Sequence, residues 1–248
     1  MPPLWNHHGS FRVYSLSNSN RIHMNVQQSY NLWASQYDTN KNKTRDLEAQ
    51  ALRTTLEGRS FQHILEIGCG TGRNLVRAGR LYPAARLFGI DISREMLVSA
   101  GKAIFKAGIE RRSRLAYADA AAFDPRRVFG RDSFDRIFIS YAVSMIPSWQ
   151  AVIERAVEQL APGGELHIVD FGDLRGLPGW SKSALHAWLA RFHVTPRALM
   201  FRASADIAAA NDCVFEERRL YRGFAWIAVI RRPPGAVVQE KVLETIAA

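Results

Sequence analysis

Short apolar runs at 64–67, 86–91, 113–118, 134–141 and 165–171 alternate with amphipathic stretches at 73–81, 94–107 and 148–160. The runs are rich in Ile, Val and Phe and lack a polar face, as strands buried on both sides do. Their spacers have helical length and period. Strand, helix, strand, helix confines such a chain to the α/β class, with a doubly wound, mostly parallel sheet covered on both faces. Pro162-Gly163-Gly164 reads as a turn feeding the strand that starts at Glu165. Two late runs, 213–220 and 224–230, are joined only by Tyr221, Arg222 and Gly223. No crossover helix fits in that link, so the last pair is expected to be antiparallel.

The rest of the chain is organised around this core, expected at 61–232. Residues 1–24 are rich in Asn, Ser and His and carry no secretory pattern; they read as a disordered tail, with Met24 as an alternative start. From 25 to 60 the pattern is of cap helices, with Tyr30, Trp33, Ala34 and Tyr37 at i, i+3, i+4 and i+7. Residues 174–205 form a basic helical insert, and 233–248 a C-terminal tail. Two cysteines, Cys69 and Cys213, give neither a disulfide framework nor metal-ligand spacing, so a cytoplasmic setting without a metal is expected. No apolar run approaches the roughly 18 residues of a spanning helix. The net charge of +10 points to an acidic partner or simply to solubility.

The chemistry is concentrated in HILEIGCGTGRN, residues 63–74. Gly68, Gly70 and Gly72 follow a strand and open a helix, where missing Cβ atoms let the backbone turn tightly and approach a ligand. Asp91 closes the next strand, placed to take both hydroxyls of a ribose. Its alternative reading is a helix N-cap before Ile92 and Ser93. A dinucleotide would suit the glycines and Asp91, but three details oppose it. The third glycine comes one residue too early for the dinucleotide fingerprint. Glu66 brings a negative charge to where a pyrophosphate would lie, whereas a sulfonium and an ammonium would tolerate it. Asp119 ends a third strand, positioned to accept from an adenine amino group.

Together these features resemble the class I S-adenosylmethionine-dependent methyltransferases. The resemblance implies a Rossmann-like, seven-stranded sheet of order 3-2-1-4-5-7-6 with strand 7 antiparallel. It also implies S-adenosyl-L-methionine as cofactor, held by Glu66, Gly68, Cys69, Gly70, Gly72, Asp91, Ile92, Met96, Asp119, Ala120 and Ser140, with Tyr37 bordering it from the cap. The proline-bearing turn of DNA amino-methyltransferases is missing after Phe138-Ile139-Ser140-Tyr141, and neither cysteine follows a proline as the cytosine-C5 enzymes require. No nucleic acid partner is expected.

FDRIFISYAVSMIPSW, LAPGGELHIVDFGDLRGLPGW and WLARFHVTPR, between 134 and 197, resemble the bacterial betaine-lipid N-methyltransferases, which methylate the amine of diacylglycerylhomoserine. Phosphatidylethanolamine N-methyltransferases are weaker cousins by these motifs. The likeness runs from about 64 to 224. The earlier piece, SYNLWASQYDTNKNKTRDLEAQALR, resembles instead the cap helix of small-molecule methyltransferases. Two acceptors therefore stand: a lipid amine, as in lipid biosynthesis at the inner membrane face, and a soluble small molecule methylated at N or O. A third reading is a cofactor-binding regulator without turnover.

Residues 174–205 hold Arg175, Lys182, Arg191, Arg197 and Arg202 and no acid, with Leu185, Trp188, Leu189 and Phe192 as one helical stripe. Such a helix can lie on an anionic leaflet or pack on the protein's own core. In an open parallel sheet the crevice lies beyond the carboxyl ends of the strands. That selects Tyr141 and Asp170, with Tyr30 from the cap, as groups to orient an amine and assist its deprotonation. The resemblance adds His193 and Arg197 as head-group contacts. His167, mid-strand, reads as a buried structural histidine.

Overall fold

The computed structural model of the protein describes residues 61–173 and 195–235. In chain order these form β1 (His63–Ile67), α1 (Arg73–Leu81), β2 (Arg86–Asp91), α2 (Arg94–Lys106), β3 (Ser113–Tyr117), α3 (Pro125–Phe129), β4 (Phe134–Ser140), α4 (Trp149–Glu158), β5 (Leu160–Phe171), α5 (Met200–Ala210), β6 (Val214–Leu220) and β7 (Ala225–Arg231). One seven-stranded sheet has the order β3-β2-β1-β4-β5-β7-β6. β7 is antiparallel to both β5 and β6, and the other pairings are parallel. The expected class, order and antiparallel strand are those observed.

Alternation along each strand divides the interior in two. Ile64, Leu87, Leu115 and Phe138 point to the side covered by α1 and α2, while Leu65, Ile90, Ile137 and Ile168 point to the side covered by α4 and α5. The helices start where local chemistry dictates. Ser93 caps α2 by accepting from the Met96 amide at 3.1 Å, and Met96, Leu97, Ala100 and Ile104 then fall on its buried face. Asp124 caps α3 through the amides of Arg126 and Arg127, with Pro125 in the first turn.

Two elements differ from the sequence reading. β5 begins at Leu160 rather than Glu165, so Pro162-Gly163-Gly164 lies within the strand as an irregularity, not before it. Leu160 pairs with Phe134 and Glu165 with Arg136, and the extra residues are tied down elsewhere. The Gly163 amide donates to the Pro233 carbonyl and the Arg232 amide to that of Gly164. The second difference is α5: the insert assigned to 174–205 ends in a helix that continues to Ala210. The cap helices, the N-terminal tail, the apolar stripe at 185–192 and the C-terminal tail beyond residue 235 lie outside the described residues.

His167 is buried, as expected, and has a specific partner. Its Nε2 lies 3.0 Å from Glu165 Oε2, which also meets Arg136 Nη2 at 3.0 Å, while Glu165 Oε1 accepts from Arg231 Nε at 3.0 Å. Arg136 is itself only 1% exposed and its guanidinium sits 4.3 Å over the Phe61 ring. Hydrogen bonding from His167 and the nearby arginines hold Glu165 down to about 2. Burial lowers His167 to about 4, so it is neutral near pH 7.

Candidate functional site

The carboxyl ends of β1, β2, β3 and β4 open into one cleft of about 850 Å³, counting the space open to solvent at its mouth. The glycine turn forms its floor. Gly68 and Gly70 adopt φ of +70° and +50°, a region that disfavours residues with a Cβ. A Cβ on Gly68 would also meet Ala142 Cβ at 2.7 Å, whereas one on Gly70 would meet nothing within 4 Å. The turn is thus wedged against the end of β4 at one glycine and open at the other.

Asp91 links this turn to the next helix. Its Oδ2 accepts from the Gly70 amide and its Oδ1 from the Ser93 amide, each at 2.8 Å. The cap of α2 is therefore Ser93, and Asp91 organises the two backbones that frame the cleft. Burial raises its carboxyl above the usual range, against the pull of those amides. Asp119 repeats the device one strand on, with Oδ1 accepting from the Ala121 amide at 2.9 Å. Ile92, Met96 and Ala120 complete this half of the lining.

Ser140 and Tyr141 bring in the other half, followed by Ala142, Met145, Ile146 and Pro147. Tyr141 has a φ of +52°, costly for an aromatic residue by about 1–3 kcal/mol, and such strain gathers at functional sites. Its amide donates to the Val169 carbonyl at 2.7 Å, and its ring packs edge-on against Phe171 at 4.8 Å. Phe171 meets Phe224 in turn at 5.8 Å. An aromatic row thus leads from the cleft across the ends of β4, β5 and β7.

Several expected contacts are placed elsewhere. Glu66 is buried beneath the turn, where Asn74 Nδ2 donates to its Oε1 at 2.9 Å. Burial pushes its carboxyl well above the ordinary range, which disfavours the negative charge assigned to it from the sequence, and the bond from Asn74 ties it to the start of α1. Cys69 is a buried thiol facing Gly89, also shifted upward by burial. Gly72 is the N-cap of α1 and packs against Ala100. Asp170 lies behind the wall of the cleft, fully buried, with Oδ2 accepting from the Ser144 amide and Oδ1 from that of Phe171. Arg197 does not line the cleft either: Nη2 donates to the Ile146 carbonyl at 2.8 Å and Nε to that of Val143 at 3.3 Å. Tyr30, Tyr37 and His193 lie outside the described residues. Sequence reasoning missed Met145, Ile146 and Pro147, which sit in and after a single 3₁₀ turn (Val143–Met145) too short to leave a periodic signal.

Fold and cleft together define a nucleotide-cofactor enzyme of the doubly wound class. Residues 64–164 match the family model described as a methyltransferase domain. The chain is 30% identical over 172 residues to a phosphatidylethanolamine N-methyltransferase of Cereibacter sphaeroides, an alignment spanning 68% of this chain and 78% of that one. It is 28% identical over 124 residues to a trans-aconitate 2-methyltransferase of Deinococcus radiodurans, covering 50% of this chain but only 43% of that relative. Among solved structures, phosphoethanolamine N-methyltransferase 2 of Haemonchus contortus, in complex with S-adenosyl-L-methionine, shares the fold at a TM-score of 0.61 and 16% identity, over 76% of this chain and 52% of that one. The chain belongs to the S-adenosylmethionine-dependent methyltransferases.

The residues present fit that cofactor. Asp91 keeps acceptor capacity on both oxygens, which would suit a pair of ribose hydroxyls, and Asp119, at the next strand end, would accept from an adenine amino group. Gly70 leaves open space that the amino-acid portion would occupy, and Glu66 Oε2, buried with no hydrogen-bond partner among the described residues, would be a spare acceptor beneath it. When bound, S-adenosylmethionine supplies a methyl group already activated by a sulfonium.

Proposed function

We propose that the protein is an N-methyltransferase acting on the amine of a membrane-lipid head group, a betaine-lipid precursor of the diacylglycerylhomoserine type, at an anionic leaflet. The observation that carries this reading is the acceptor side of the cleft: a strained Tyr141, backed by Phe171, beside the apolar Met145, Ile146 and Pro147. Such a wall suits an uncharged amine that becomes a quaternary ammonium, attracted to aromatic faces by about 0.5–2 kcal/mol. The 30% identity to a phosphatidylethanolamine N-methyltransferase supports a lipid amine. Holding amine and methyl donor in line provides most of what such a reaction needs. Tyr141 orients the acceptor, and the dry wall excludes water. Tyr30 and Tyr37 from the cap, with His193 near the head group, complete the acceptor side in this reading. No helix among the described residues is long and apolar enough to cross a membrane.

The likeness to trans-aconitate methyltransferases supports a second reading, a soluble small-molecule acceptor. Isotopically labelled S-adenosylmethionine, offered with membrane-lipid and polar-metabolite extracts, separates the two by mass spectrometry. Label in a lipid amine gaining one, two or three methyls is the expected result. Label confined to the polar pool would overturn the lipid reading.

A further inference from the structure

The turn after β4 builds the acceptor wall of the cleft and closes on itself through the Met145 and Ile146 amides, which donate to the Ala142 carbonyl at 3.0 and 3.2 Å. Its other tethers come from two distant parts of the chain. From β5, Asp170 accepts from the Ser144 amide at 2.8 Å. From the segment that follows residue 194, the Thr195 amide donates to the Ser144 carbonyl at 2.9 Å, and Arg197 donates to the carbonyls of Val143 and Ile146. Ser144 is thus held on both sides, its amide by one element and its carbonyl by another. Asp170 and Arg197 also favour each other's charged forms across the turn.

This turn carries Tyr141 on one flank and Met145, Ile146 and Pro147 on the other, all of them lining the cleft. Tyr141 occupies left-handed backbone, and a strained residue keeps its position only where its surroundings over-determine it. Phe171, against which the Tyr141 ring packs, gives its amide to the other oxygen of Asp170. A single buried carboxylate therefore sets both the turn and the aromatic backing of the wall.

We infer that Arg197 and Asp170 are positioning residues for methyl transfer: a two-sided clasp on residues 143–146 that fixes Tyr141 and the acceptor wall. Arg197 acts through the carbonyls it grips and does not touch the acceptor. The inference rests on the reading of this wall as the acceptor side, and its test has a readout that needs no acceptor.

The measurement is hydrogen–deuterium exchange across the whole chain for wild type, Arg197→Ala, Arg197→Lys and Asp170→Asn, together with S-adenosylhomocysteine affinity by calorimetry. Loss of charge-assisted bonds predicts exchange about 10–100 times faster in residues 141–147 for Arg197→Ala, and unchanged exchange in 64–93. S-adenosylhomocysteine affinity should stay within about threefold, because the clasp lies outside its contacts. Arg197→Lys, with one donor centre in place of a fork, should recover part of the protection. Where an amine acceptor turns over, Arg197→Ala should raise its KM at least about tenfold without a matching loss of cofactor affinity. Unchanged exchange at 141–147, or an equal rise throughout the core, would overturn the clasp. Faster exchange at 141–147 in Arg197→Ala, beside a wild type that methylates no amine, would retain the clasp and discard the lipid-amine function.

Discussion

At the carboxyl ends of the strands, Asp91, half-buried, and Asp170, buried, are held by backbone amides; at the start of the regular part of β5, Glu165 is buried against Arg136, His167 and Arg231. The same functional group responds in opposite directions. Burial raises Asp91, and raises Asp170 to about 6, whereas Glu165 falls to about 2. Amides satisfy an oxygen without cancelling the charge, so desolvation wins; a guanidinium cancels it, so attraction wins. The difference separates a site from a strut. Asp91 retains acceptor capacity facing a cleft, while Glu165 is fully engaged by its own sheet.

The comparison can be broken most forcefully at Glu165. Glu165→Ala leaves Arg136 buried without its carboxylate, and should lower the free energy of unfolding by about 3–5 kcal/mol in denaturant titrations. S-adenosylhomocysteine affinity, measured where the variant is folded, should remain within about twofold. Asp91→Ala should show the reverse pattern. Losing two charged acceptors should weaken S-adenosylhomocysteine at least about 100-fold by calorimetry, about 3 kcal/mol. Equal effects of the two variants on affinity would remove the distinction between the two ends.

Titration sharpens it further. Asp170, ordinarily near 3.8, sits at about 6 in the folded chain, so folding favours its protonated form. Its stabilising contribution is present at low pH and is lost as pH rises through 6. His167 moves from 6.5 down to about 4, so folding favours its neutral form; that contribution is present above 6.5 and is lost as pH falls through 4. Between about pH 4.5 and 6 the two slopes oppose one another, and the stability of the wild type should be nearly flat in this pair's contribution. Asp170→Asn should uncover a rise with pH of about 2 kcal/mol across that window, and His167→Gln a fall of similar size. Denaturant midpoints at constant ionic strength measure both. The smallest effect is expected at Ser93→Ala, which removes a helix cap beside the cleft and should cost about 1 kcal/mol with no change in either pH slope.

The cleft residues legible in the sequence are those placed by local geometry. Gly68, Gly70, Asp91 and Asp119 each end or follow a strand whose run is unmistakable, and all line the cleft. Glu66 and Asp170 also stand at strand ends, but alternation turned them into the protein, and no count of residues reports which face a given end presents. Arg197 was legible as a cation near the acceptor side but not as a clasp, because its carbonyl partners lie more than 50 residues earlier in the chain.

The sequence by itself determined the α/β class, the antiparallel last pair and the glycine turn and strand-end acids that line the cleft. Those features follow from hydrophobic period, link length and backbone permissiveness, which act over a few residues at a time. Only the tertiary structure decided that β5 starts at Leu160, that Asp170 and Arg197 grip the turn beside Tyr141, and that one buried carboxylate is lifted while another is lowered. Each of those outcomes depends on which groups from distant strands meet away from water, where an amide, a cation or a ring beside a carboxyl changes its energy in ways no neighbour in sequence reveals.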